Sequence, residues 1–243
     1  MTSSLGPIAA QRARDARMQI EAEAIASRHA GRPIPELLAD TPVVLMPANT
    51  RELVPLPDDE RNAFLAHLHT QLSAAFALPL RDNAEPMSAQ ASSERDDAGE
   101  TMSRDVGLPA EMVLGSCSTC RGDCCTAAGT HAFLKAESLV RVRAQQAQWG
   151  EHADSVEAVT ALYVAALPDV HYEHSCVFHA RNGCTLARHL RSNLCNRYQC
   201  GELTQLSRAL DATGSSRAYV GAADSHQLLR MALIDGEVTP IPA

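Results

Sequence analysis

The sequence predicts a mainly α fold: a helical N-terminal region, then a cysteine-rich domain with a small C-terminal β element. Three observations lead there. The stretch from Ile8 to His29 is rich in Ala, Arg and Glu and holds no Pro or Gly. All eight cysteines fall between Cys117 and Cys200. An Asp235-Gly236 pair near the C-terminus has the chemistry of a hairpin turn. The expected divisions are a helical region over 1–80, a flexible linker over 81–105 and a cysteine-cluster, metal-binding domain over 106–243.

Each element has a local reason. Pro33, Pro35, Pro42 and Pro47 break the chain after the first helix into short pieces. An amphipathic helix follows Pro57. Asp58 suits its cap, Asp59 and Glu60 its first turn, and Phe64, Leu68, Leu72 and Phe76 form its apolar stripe. Residues 81–105 carry almost no large apolar side chains, which marks a linker or exposed loop. Two helices are expected between the cysteine groups. One runs from Phe133 to Gln148 and ends at Gly150; the other runs from Asp154 to Leu167 and stops at Pro168. A short helix is expected over Glu202–Leu210 and a strand over Arg217–Ala222. Two readings fit the remainder. Asp224-x-x-Gln227 resembles a capping box for a helix ending at Gly236. Alternatively, Leu228–Ile234 and Glu237–Ile241 pair across the Asp235-Gly236 turn, and the preceding strand favours this hairpin.

Composition narrows the function classes. The formal net charge is -8, so a general affinity for nucleic acid or anionic membrane is not expected. No stretch reaches the roughly 18–20 apolar residues that span a bilayer. The N-terminal segment has no continuous apolar run of the secretory type. These features predict a soluble, cytoplasmic protein, a setting that keeps thiols reduced and disfavours a disulfide framework.

Closely spaced thiols then point to metal. Cys117-x2-Cys120 presents two sulfurs from one tight turn, and Gly122 suits the reversal after them. Cys124 adds a third sulfur, and Cys125 must point differently from its neighbour. The second group is Cys176, Cys184, Cys195 and Cys200, spread too widely to close on one turn. Eight thiolates suffice for two tetrahedral zinc sites. Four suffice for an iron–sulfur cluster, with the others holding a second cluster or remaining free. His171, His174, His179 and His189 lie among the second group and are read as polar or supporting residues.

From Cys176 to Cys200 there is no Asp or Glu, but there are Arg181, Arg188, Arg191 and Arg197. The plainer reading is compensation of thiolate charge. The sharper one is an anion-binding surface beside the metal. No dinucleotide fingerprint, phosphate-binding loop or nucleophile elbow is present, so no nucleotide or hydrolase site is read.

Cys117-x2-Cys120-x3-Cys124-Cys125, a helical spacer, Cys176, Cys184 and Cys195-x2-Tyr198-x-Cys200 together resemble the bacterial cysteine-cluster family. Its members are described as zinc- or iron-chelating proteins and include the flagellin lysine N-methylases. The resemblance covers about residues 115–201. It departs before the seventh cysteine, where Arg191-Ser192-Asn193-Leu194-Cys195 replaces the family's usual Arg-Pro. It implies metal chelation, by an iron–sulfur cluster or zinc, and the role expected here is that of a binding or accessory protein whose centre organises a surface for a partner. The alternative is an iron–sulfur enzyme that modifies a protein side chain or another substrate, such as a methyltransferase; the family implies methyl transfer for one branch only, and no feature of this sequence places it there.

Overall fold

A computed structural model describes residues 7–79, 107–148 and 154–242. The helices are α1 (Pro7–Ala30), α2 (Ile34–Leu38), α3 (Asp58–Ala77), α4 (Ala110–Cys120), α5 (Ala136–Gln148), α6 (Val156–Ala165), α7 (Asn193–Arg197) and α8 (Gly201–Thr213). The strands are β1 (Val43–Pro47), β2 (Leu53–Pro55), β3 (Val170–Tyr172), β4 (His179–Ala180), β5 (Gly183–Cys184), β6 (Ala218–Ala223), β7 (Leu228–Ile234) and β8 (Val238–Ile241). Short 3-10 segments cover Asp123–His131 and Arg188–Leu190. These elements form two compact units, each drawn from separate stretches of chain.

The first unit holds described residues 7–50, 107–123 and 199–242. Its centre is a four-stranded sheet in the order β1-β6-β7-β8. β1 runs parallel to β6, and the other pairs are antiparallel. Every residue of β6 is buried, as a strand covered on both faces requires. Its side chains alternate. Tyr219 and Ala223 pack with Met18, Ala22 and Ile25 of α1. Ala218, Val220 and Ala222 pack with Met112 of α4 and with Leu203, Leu206 and Leu210 of α8. Prolines fall only on the outer strands, as Pro47 and Pro240, where a missing N–H costs no central ladder bond.

Two glycines make room for packed side chains of the sheet. A Cβ on Gly221 would lie 2.6 Å from Leu45 Cδ2, and one on Gly115 would lie 2.8 Å from Ile234 Cδ1. Gly221→Val is therefore expected to cost about 1–3 kcal/mol through overpacking. A lowered urea midpoint checks this, with Gly221→Ala showing a smaller drop.

The second unit holds described residues 51–79, 124–148 and 154–198. Phe64, Leu68 and Leu72 of α3 pack with Leu139 and Val142 of α5 and Val159 and Tyr163 of α6. Phe178 fills the middle of this core. Its ring stands edge-on to Phe64 at 5.0 Å. The Tyr163 hydroxyl donates to the Leu190 carbonyl at 2.8 Å and anchors the second 3-10 segment. β2 pairs with β3 and β4 with β5, both antiparallel.

The mainly α expectation is corrected. The chain is mixed α/β, and its C-terminal strands form most of a central mixed sheet. The expectation counted too little strand because β1 and β2 were read as helical or broken chain. Both are short and end in proline. The metal-binding part of the expected fold class also lacks a ready-made site. Among the described residues, no three His, Cys, Asp or Glu side chains are arranged as a metal-holding group.

Other elements fall near their expected places. β6 lies within a residue of the expected strand, and β7 and β8 form the favoured hairpin, with Gly236 at φ 95° in its turn. The Asp224 side chain accepts from the His226 and Gln227 amides at 2.6 and 2.9 Å, so the apparent capping box is a turn between strands. Asp58 is the first residue of α3 and not its cap. Phe76 is half-buried, with the Arg143 guanidinium 3.7 Å above its ring. The linker over 81–105 and the Gly150 helix stop lie outside the described residues.

Candidate metal centre

The eight cysteines divide between the units differently from their order along the chain. Cys117, Cys120 and Cys200 belong to the first unit. Cys124, Cys125, Cys176, Cys184 and Cys195 belong to the second. None of the eight forms a disulfide.

In the first unit, Cys117 and Cys120 close α4. Arg121 and Gly122 follow in left-handed conformation, at φ 58° and 62°. The Cys117 carbonyl accepts from both of their amides. This double reversal is what the Cys-x2-Cys turn with its following glycine demands. The Cys120 sulfur accepts from the Asp123 amide at 3.4 Å. Cys120 is buried, and Cys117 and Cys200 pack on the same cluster beneath the sheet. Cys200 occupies the N-cap position of α8.

In the second unit, Cys125, Cys176 and Cys184 share one core cluster, and Cys124 and Cys195 act electrostatically on its sulfurs. Cys124 and Cys125 sit in the first 3-10 segment, kinked at Gly129. The Cys176 amide donates to the Cys125 carbonyl at 3.2 Å, and the Val177 amide to the Gly129 carbonyl at 3.3 Å. These bonds fasten the 176 loop to the 124 loop. The His179 amide then donates to the Cys176 carbonyl at 2.8 Å, and His179 stands opposite Cys184 across the β4–β5 hairpin. Cys176 is 8% exposed, and Cys125 and Cys184 pack against the same core cluster. Cys124 and Cys195 are exposed.

The thiols sense one another. A hydrogen bond with Cys124, followed by burial, raises the Cys125 pKa, and Cys176 and Cys184 add to it. Burial pushes the Cys176 thiol up to about 12, with Cys184 and Cys195 contributing. Loss of solvent also raises the Cys195 thiol, and Cys184 and Cys124 push the same way against Ser192 and Arg191. Neighbouring thiols thus figure among the groups acting on each of these sulfurs. The raised Cys125, Cys176 and Cys195 thiols favour their protonated forms, and a bound cation would displace those protons.

Supporting side chains hold the loops. The Arg191 guanidinium donates to the carbonyls of Leu186 at 3.0 Å and Cys184 at 3.5 Å. It therefore serves the backbone, whereas Arg181, Arg188 and Arg197 are exposed. The Ser192 hydroxyl accepts from the Cys195 amide at 3.0 Å and caps α7. His179 is buried beside the Tyr172 ring, its Nδ1 2.8 Å from the Ser175 hydroxyl. His171 is fully buried; neither ring nitrogen has a hydrogen-bond partner, and Glu60 Oε2 lies 3.8 Å away.

Sequence reasoning missed Arg141. From α5 it reaches the carbonyls of His189, at 3.0 Å, and Arg191, and the Asn193 side chain at 2.8 Å. It clamps the strand of chain leading to Cys195. No local motif marks it, because its partners lie about fifty residues away. Arg141→Ala is expected to cost about 1–3 kcal/mol by leaving these carbonyls unpaired. Arg141→Lys should restore little, since one ammonium cannot span the fork. Urea denaturation and amide shifts of residues 188–195 check both.

Among the described residues, no helix is long and apolar enough to cross a membrane. No family model matches the chain, and neither a curated protein nor a solved structure matches it.

Proposed function

We propose that the chain is a metal-binding protein. Cys124, Cys125, Cys176, Cys184 and Cys195 of the second unit would hold zinc or an iron–sulfur cluster. The observation that carries this reading is that Cys125, Cys176 and Cys184 meet in one core cluster, with Cys124 and Cys195 near enough to act on its sulfurs. The donor set fits the group: it is sulfur throughout, the preference of zinc and of iron–sulfur clusters. Sulfurs that are gathered but not yet arranged as a site suit centres that close as metal binds. The spacing that resembles the cysteine-cluster family supports the same conclusion.

Cys125, Cys176 and Cys184 would anchor the group from the core side, and Cys195 or Cys124 would complete four ligands at the rim. Zinc would supply a structural cross-link, and an iron–sulfur cluster would add electron transfer. Phe178 and the aliphatic core beside it bury Cys176 and partly cover Cys125 and Cys184. Arg191 offsets thiolate charge at Cys195 while holding the Cys184 backbone. The three thiols of the first unit fall one ligand short of a closed tetrahedral site. The protein would act as a binding or accessory protein, and the exposed Arg181, Arg188 and Arg197 offer a surface to a protein partner or an anionic ligand.

Cobalt(II) titration of the reduced protein under nitrogen tests the reading. Strong visible and sulfur-to-metal absorption saturating at a fixed ratio is expected. Its survival in the Cys176→Ser/Cys184→Ser variant would reject the five-thiol assignment.

A further inference from the structure

The first unit contains a cleft that owes nothing to the cysteines. Its volume is about 220 Å³, below the roughly 300 Å³ at which drug-sized ligand pockets begin. Leu37, Leu233 and the Tyr219 ring supply its apolar wall. Arg32, Arg217 and His29 supply the polar side. The wall thus holds two guanidiniums, with the exposed Asp40 carboxylate bracing them from outside the lining, in a chain of net charge -8.

These groups are held in place. The Asp40 carboxylate accepts from Arg32 Nη1 at 2.9 Å and from the Thr41 hydroxyl at 2.7 Å. Arg32 Nη2 donates to the Glu36 carbonyl at 2.7 Å. Arg217 Nε donates to the Thr41 hydroxyl oxygen at 3.2 Å, and its Nη2 lies 4.0 Å from Asp40. The Asp40–Thr41 pair therefore fixes both arginines while leaving most of their N–H donors uncommitted. Tyr219 is 3% exposed, and its hydroxyl lies 3.0 Å from His29 Nδ1. Its pKa is raised, chiefly by burial, so the phenol remains a neutral donor.

We propose that this cleft binds a small organic oxyanion, a carboxylate or a phosphate monoester on a compact apolar body. Arg217 and Arg32 would grip the oxyanion, Tyr219 would donate to it, and Leu37 and Leu233 would pack on the apolar part. Paired guanidiniums with a fixed orientation suit planar or tetrahedral oxyanions better than a lysine would. The small volume excludes a nucleotide or a peptide. The proposal is independent of metal at the cysteines.

Titration of the full-length protein with phenyl phosphate, benzoate and benzyl alcohol, followed by amide NMR, tests it. Saturable shifts at Arg217, Tyr219 and Leu233 are expected with one or both anions and not with the alcohol. The tighter anion names the source, phosphate ester or carboxylate. Arg217→Gln should weaken binding at least tenfold, and Tyr219→Phe severalfold, with the far-ultraviolet dichroism of both unchanged. Equal binding of benzyl alcohol, no shift with either anion, or undiminished affinity in folded Arg217→Gln would overturn the proposal.

Discussion

Replacing Phe178 by Ala is expected to destabilise the second unit by about 3–5 kcal/mol. The ring is fully buried, stands perpendicular to Phe64 at 5.0 Å and lies 6.3 Å from Tyr163. It therefore joins α3 and α6 through one side chain. Its loss removes the transfer energy of a whole aromatic, leaves a cavity, and forfeits the edge-to-face contact. The effect should reach the cysteines as well. Phe178 lies two residues after Cys176, and its carbonyl accepts from the Thr185 amide at 2.9 Å, next to Cys184. Phe178→Leu should recover much of the stability. Chemical denaturation of Phe178→Ala and Phe178→Leu, alongside thiol labelling of Cys176, measures both consequences. Faster labelling is expected in the alanine variant.

The second large effect concerns metal. A ligand that binds only the folded state stabilises it by about 4 kcal/mol when free at 1,000 times its dissociation constant. Zinc added to the reduced protein should therefore raise the unfolding midpoint of the second unit strongly. Chelator should reverse the gain. The Cys176→Ser/Cys184→Ser variant should unfold at a similar point with or without zinc, because two of the three core-side sulfurs are gone and four ligands can no longer be assembled. Replacing Cys117 and Cys120 by Ser should leave the zinc-induced gain of the second unit intact. An equal loss in both variants would show that the five-thiol grouping is wrong.

Particular residues show how far the sequence could be read. The stripe of Phe64, Leu68 and Leu72 was legible because a four-residue spacing on a helix allows one buried face. The hairpin was legible because Asp235-Gly236 separates two apolar runs. β1 was not: Val43–Met46 is a four-residue apolar run between prolines, and only pairing with β6, more than 170 residues later, makes it a strand. The importance of Gly221 was also hidden. It has no left-handed conformation to betray it, and what it provides is room for Leu45 and Leu228. The thiols show the same limit. Spacing identified eight candidate ligands but grouped them as four and four. Cys117, Cys120 and Cys200 fall in one compact unit and the other five in the second, a division that depends on contacts distant in sequence. Arg141 and the Arg32–Asp40–Thr41–Arg217 set carried no motif, since their geometry depends on residues distant in sequence.

Metal and acid-labile sulfide analysis of the full-length protein, purified and kept without oxygen, tests the metal assignment most directly. The account predicts tightly held zinc, or iron with sulfide and a brown colour. It predicts that the Cys176→Ser/Cys184→Ser variant, still folded by circular dichroism, loses that metal while the Cys117→Ser/Cys120→Ser variant retains it. A wild-type protein that takes up neither zinc nor iron under reducing conditions would contradict it.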